Sequence, residues 1–185
     1  MTVGVDEAGR GPLAGPVVAA ACILPEGVDF PGLADSKTLS SAQRQRIFHL
    51  LTSSKGFRFG VGFCDVEVID KINILQATFL AMQQAVKAIP GPIDKVFVDG
   101  PYAPQFGYPT EAIIDGDAFV PVIMAAGNIA KEIRDELMKE LAKQFPGYGF
   151  EQHKGYGTAK HLATLKQLGP CAIHRKSFAP VKACC

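Results

Sequence analysis

Two acids, Asp6 and Glu7, follow the apolar run Val3-Gly4-Val5 and lead straight into the turn Gly9-Arg10-Gly11. Adjacent carboxylates at the end of a buried strand are costly unless a divalent cation, a basic side chain or backbone amides meet them. The turn offers free N–H groups and one guanidinium, so cation-binding acids and anion-binding donors lie side by side. A centre that holds both a metal and a phosphate needs that combination. Two more acids repeat the arrangement: Asp99 closes Val96-Phe97-Val98 before Gly100, and Asp117 follows Ile113-Ile114 and precedes Ala118. Strand ends on one edge of a sheet are close in space, so Asp6, Glu7, Asp99 and Asp117 are expected to converge. Four such carboxylates suit two hard divalent ions, Mg²⁺ or Mn²⁺, about 3.5–4 Å apart across one phosphate. No Cys or His set has zinc spacing. Asp115 competes with Asp117, because residues two apart on an extended chain face the same way; the Gly116-Asp117-Ala118 turn favours Asp117.

The glycines at 9, 11 and 15 do not make a dinucleotide fingerprint. The third comes one residue late, and Pro12 and Pro16 bar a helix from running through the segment. They fit better a backbone nest that approaches a sugar-phosphate closely and reaches a ribose hydroxyl. Lys37, just ahead of a helix start, reads either as a phosphate clamp or as a solvated lysine. Tyr156, flanked by Gly155 and Gly157, reads either as a stacking surface for a sugar or base or as a half-buried spacer. Arg175 and Lys176 add positive charge to the same late segment and are expected to contact a nucleic-acid backbone.

These residues need a scaffold. Residues 3–6 and 17–24 read as neighbouring strands joined by the Gly/Pro-rich connection. Residues 41–52 read as a helix capped by Ser40 or Ser41. Residues 57–63 alternate Phe57, Phe59, Val61 and Phe63, which predicts a strand with the aromatic face buried. Leu75, Phe79, Met82 and Val86 mark a core-facing stripe on a helix over 72–88, so Met82 is core filler. Strands are expected at 95–99 and 111–114. A long helix is expected from 122 to about 145, with Ala126, Ala130, Ile133, Leu137 and Leu141 inward, then a last helix over 158–167 and an extended tail. Strands interleaved with helices predict one α/β domain, residues 1–185, built on a mixed sheet.

The 185 residues are 48% hydrophobic and 20% charged, an ordinary globular composition for a single domain. The net charge of +1 hides an asymmetry: residues 1–130 carry nine Lys and Arg against thirteen Asp and Glu, and residues 131–185 carry ten against five. An acidic body with a basic C-terminal part, about 146–185 contributing to substrate binding, suits a metal-using enzyme acting on a polyanion. Five cysteines without a C-x-x-C, a first strand entered by residue 3 and no apolar run near the ~20 residues of a membrane span predict a reduced cytoplasmic protein.

The chain resembles the type 2 ribonuclease H family, and within it bacterial ribonuclease HII. The resemblance rests on VGVDEAGRGPLAGPVVAAA (3–21), DSKTLS (35–40), VDG (98–100), GDA (116–118), AKEIRD (130–135), YGFEQHKGYGT (148–158) and IHRKSFAPVK (173–182). It implies a ribonuclease H-like mixed β-sheet flanked by helices, with a helical or extended C-terminal segment. It also implies cleavage of RNA in RNA–DNA hybrids and beside single ribonucleotides in duplex DNA, by a monomer that needs no membrane. By the same resemblance Asp6, Glu7, Asp99 and Asp117 bind the metals, Gly9, Arg10 and Gly11 read the 2′-hydroxyl, and Tyr156 stacks on the deoxyribose beyond it. The sister ribonuclease HIII differs at the turn and carries an extra N-terminal domain, for which a strand starting at residue 3 leaves no room. One departure stands out. Where the family has Ala-Ala-Ser-Ile-Leu, this chain has Ala125-Ala126-Gly127-Asn128-Ile129. The loss of a hydroxyl, with about 1 kcal/mol of helix propensity, is expected to bear on a substrate contact there and not on the metal site.

Overall fold

The computed structural model describes all 185 residues. Five strands, β1 (Thr2–Ala8), β2 (Val17–Ile23), β3 (Arg58–Cys64), β4 (Lys95–Asp99) and β5 (Thr110–Ile113), form one mixed sheet in the order β3-β2-β1-β4-β5. The β1–β2 and β2–β3 pairs are antiparallel, and β1–β4 and β4–β5 are parallel. Helix α1 (Ser41–Thr52) starts at Ser40, whose side chain accepts from the Gln43 amide in a capping box. Helices α2 (Val66–Lys87), α3 (Gly116–Phe119), α4 (Pro121–Gln144), α5 (Phe150–His153), α6 (Ala159–Leu168) and α7 (Ala179–Lys182) complete the chain.

Both faces of the sheet are covered, which explains why β2 is apolar and buried throughout. On one face Val3, Val5, Val17, Val96 and Val98 pack with Ala77, Ala81, Met82 and Val86 of α2. On the other Ala8, Ala20 and Cys22 pack with Ala126, Ile129 and Ala130 of α4 and with Ile47 and Leu51 of α1. Odd positions of β1 thus serve the first core, and even positions, Asp6 among them, face α4.

Three expectations need correcting. In β3 the close-packed face is Gly60, Gly62 and Cys64, while Phe59 and Phe63 are exposed. The glycines win because the α2 backbone at Ala81 and Ala85 lies directly on them, leaving no room for a Cβ. Helix α2 begins at Val66, capped by Asp65, and is kinked at Asn73, which adopts φ 67° and whose side chain accepts from the Gln76 amide. The tail is not simply extended. It pairs with the Gly-rich connection through an Ala14–His174 bridge and ends in α7, whose Val181 packs on Leu13 and Leu165.

Candidate functional site

The parallel register aligns Val5 with Val98, so the next residues along each strand, Asp6 and Asp99, emerge side by side. Asp117 arrives from α3, where its amide donates to Asp99 Oδ1 at 3.1 Å. Carboxylate oxygens of Asp6, Asp99 and Asp117 lie within 4.8 Å of one another. Asp6 and Asp117 are buried and Asp99 is half-buried. Asp115 is excluded: it takes a left-handed conformation (φ 54°) ahead of α3 and stays exposed. Glu7 stands outside the three-acid set. Arg10 Nη1 reaches its Oε1 at 3.4 Å, and the charges of Asp99 and Lys37 also act on it.

Burial, then the charges of Glu7, Asp99 and Asp117, holds the Asp6 carboxyl well above the ordinary carboxylate range, although the Glu7 amide donates to it at 2.7 Å. Burial also raises Asp99 and Glu7; the Asp117 amide opposes it at Asp99 and Arg10 opposes it at Glu7. Carboxylates that cannot all ionise unaided are what an incoming cation would relieve. The donor set is all oxygen, which suits Mg²⁺ or Mn²⁺ and not zinc. The cation present is Lys37, whose Nζ lies 2.5 Å from Asp117 Oδ2 and is pushed above its ordinary value chiefly by that bond. It is an exposed side chain over a buried acid, a partner that an arriving ion can displace.

Gly127 belongs to this centre, contrary to expectation. A Cβ there would meet the Asp6 carboxylate, so any side chain at 127 would have to shift that acid. Gly127 is buried, where a substrate contact is out of reach, and the departure bears on the acid instead. Asn128, also fully buried, donates to Ala34 O at 2.8 Å and ties the loop bearing Lys37 to α4.

The Gly9-Arg10-Gly11 turn follows at once. Gly9 has φ +96° and lies against the Arg134 side chain, so only glycine fits. The amides of residues 9, 10 and 11 donate to no acceptor within the chain. Arg10 is half exposed and Gly11 stands 3.7 Å from the Tyr156 ring. Tyr156 is 40% exposed, with Lys131 Nζ 5.7 Å and Arg134 Cζ 5.9 Å from its ring centre. Beside it runs a polar groove of about 370 Å³ lined by Arg44, Lys131, Asp135, Lys139 and Lys154. The segment carrying Tyr156 is held by neutral histidines. His161 Nδ1 lies 2.8 Å from Tyr156 O and its Nε2 3.1 Å from His174 Nε2; His174 Nδ1 accepts from the Cys171 amide at 2.9 Å. Burial holds His174 down to about 4. Arg175 is fully buried and cannot reach a nucleic-acid backbone, whereas Lys176 is exposed.

Sequence reasoning missed Arg134, Lys131 and the burial of Arg175. Arg134 left a signal: Ala126, Ala130, Arg134 and Met138 recur every four residues, which puts one charge inside an apolar stripe.

Comparison with known proteins gives one answer. The sequence model of the family described as ribonuclease HII matches residues 3–181. A ribonuclease HII of Chlamydia trachomatis serovar A is 55% identical over 179 residues, covering 97% of this chain and 82% of the relative. The ribonuclease H2 of Pyrococcus horikoshii OT3 superposes with a TM-score of 0.78 at 25% identity, over 98% of this chain and 95% of that one. Bst-RNase HIII, solved in complex with Mn²⁺, shares the fold with a TM-score of 0.72 at 18% identity, over 98% of this chain and 68% of that one.

Proposed function

Since the chain belongs to the ribonuclease HII family and is an endonuclease hydrolase of ribonuclease H type, we propose that it cleaves the RNA strand of RNA–DNA hybrids and nicks 5′ of single ribonucleotides embedded in duplex DNA. The products carry 3′-hydroxyl and 5′-phosphate ends, and the second activity would serve ribonucleotide excision repair. The enzyme works as a monomer in the cytoplasm, and its basic segment, about 146–185, contributes to substrate binding.

The observation that carries this reading is the convergence of Asp6, Asp99 and Asp117 next to a turn whose amides have no partner. These three acids, with Glu7 beside them, would hold two divalent ions, Mg²⁺ or Mn²⁺. When bound, such ions supply Lewis acidity, activating a water for in-line attack and neutralising charge on the leaving 3′ oxygen. The chain does the rest. Asp117 is fixed by its own amide's bond to Asp99. Lys37, released from Asp117, stands at the rim as a donor for a phosphate oxygen. The amides of Gly9, Arg10 and Gly11 are placed to donate to the oxygen of the ribose 2′-hydroxyl, the one group that separates RNA from DNA at a single position. Tyr156 offers its ring, backed by Lys131 and Arg134, to the next sugar.

A labelled duplex carrying one ribonucleotide, incubated with Mg²⁺, Mn²⁺ or EDTA, tests the reading on a gel. One nick 5′ of the ribonucleotide, extendable by a polymerase and absent in EDTA, is the expected product. Cleavage that survives EDTA, a 2′,3′-cyclic phosphate end, or no product with either metal contradicts it.

A further inference from the structure

Arg175 donates three hydrogen bonds to one short loop: Nη2 to Gly9 O at 2.5 Å, Nη1 to Arg10 O at 2.9 Å and Nε to Gly15 O at 3.0 Å. Its own amide donates to Leu13 O at 2.8 Å. Arg134, equally buried, donates to Ala14 O at 3.1 Å, Pro16 O at 2.9 Å and Lys154 O at 3.0 Å. Neither guanidinium has a carboxylate partner. Asp70, whose charge reaches Arg175, accepts instead from the Lys176 and Ser177 amides and the Ser177 hydroxyl, and Asp135 is held by Arg44 and Lys131. The carbonyls of residues 9, 10 and 13–16 are thus all drawn inward. In a trans peptide the C=O of one residue and the N–H of the next point in opposite directions. Fixing the Gly9 and Arg10 carbonyls inward therefore turns the Arg10 and Gly11 amides outward, and these donate to nothing in the chain.

We propose that Arg175 is the positioning residue of the Gly9-Arg10-Gly11 turn, aiming its amides at the 2′-hydroxyl and adjoining phosphate of a nucleic-acid strand. The proposal rests on the ribonuclease reading above and adds to it what shapes the recognition element. Three carbonyls in a fixed fork demand a planar guanidinium; an ammonium is a point donor and cannot span them. A guanidinium solvated only by carbonyls also keeps its positive charge, which lies directly beneath an anionic ligand. Arg134 fixes the second half of the loop and ties it to Lys154, two residues from Tyr156.

The test compares Asp99→Asn with Asp99→Asn/Arg175→Lys, measuring affinity for a duplex with one ribonucleotide and for the all-DNA duplex of the same sequence. The single variant should prefer the ribonucleotide duplex, and the double variant should lose about tenfold of that preference, the worth of one hydrogen bond, while all-DNA affinity stays within about twofold. A preference that survives, or an equal loss on both duplexes, overturns the proposal. No preference in the single variant removes the ribonuclease reading itself, and the proposal with it. Should the Lys variant not fold, Arg175→Gln, which buries no charge, is measured in its place. Amide exchange in Asp99→Asn with Arg175 intact gives an independent check. The Arg10 and Gly11 amides should slow on binding the ribonucleotide duplex and not the all-DNA one, and unchanged exchange on both overturns the assignment.

Discussion

Asp6, Asp99 and Asp117 ahead of the turn, and Arg134 with Arg175 beneath it, are both groups of like charge taken out of water, and the chain treats them in opposite ways. The arginines are saturated from within: six main-chain carbonyls receive their donors. Burial and the neighbouring Arg134 pull Arg175 down to about 9, which still leaves it charged at neutral pH. The acids receive two amides and one exposed lysine, and burial makes Asp6 and Asp99 hold their protons more tightly than usual. A like-charge cluster completed by its own backbone is scaffold. One that its own chain leaves short of partners is a place where something binds.

The sharpest way to break this contrast is to remove charge from the acids. Asp99→Asn or Asp6→Asn should lower turnover on a single-ribonucleotide duplex by on the order of a thousandfold or more, with duplex affinity nearly kept. Normal nicking by either variant would end the metal assignment. Next in size is Gly9→Ala, which strains a residue at φ +96° and drives a Cβ into Arg134. We expect about 1–3 kcal/mol of lost stability and a raised KM, read by thermal melting and steady-state nicking. Tyr156→Ala should raise KM by roughly tenfold, since stacking on one sugar or base contributes about 1–3 kcal/mol, with kcat nearly unchanged.

Acidity separates the two regions without mutation. Asp6 binds its proton more tightly folded than unfolded, so its contribution to stability is full below the ordinary carboxylate value and is lost as pH rises through its raised one. The metal-free melting temperature should carry this loss on going from acid to neutral pH, and Mn²⁺ should restore more at neutral pH than at pH 5. The arginines do not titrate in that window. His174 acts in the opposite sense. Neutral and buried, with its pKa lowered to about 4, it costs stability as pH falls below the ordinary histidine value of 6.5. Replacing His174 by Asn should flatten that acid limb of the melting curve; an unchanged limb would remove histidine as its cause. Lys37→Ala should have the smallest effect, a few-fold on KM, because the side chain is exposed and screened.

What could be read from sequence follows the same divide. Asp6 and Asp99 were legible because each closes an apolar strand, and parallel pairing brings those ends together, whereas Asp117 comes from the first turn of α3 after the exposed β5. Glu7 shared that signal and stands beside them, paired with Arg10. The arginine cluster was hidden because its acceptors are main-chain carbonyls, which no residue type marks. Arg175 in a basic segment therefore looked like a surface contact. The β3 faces were misjudged for a related reason: Phe59 and Phe63 advertise burial, whereas the tight contact with α2 requires the absence of side chains at Gly60 and Gly62. The kink at Asn73 lies within an unbroken helical pattern and depends on one left-handed residue capping the next turn.

Calorimetric titration of Mn²⁺ into the protein near pH 6, repeated in two buffers of different ionisation heat, tests the central claim most directly. Asp6 and Asp99, which hold their protons tightly and share one site with Asp117, predict binding with proton release, both abolished in Asp6→Asn/Asp99→Asn. Mn²⁺ binding that is undiminished in the double variant would contradict the account.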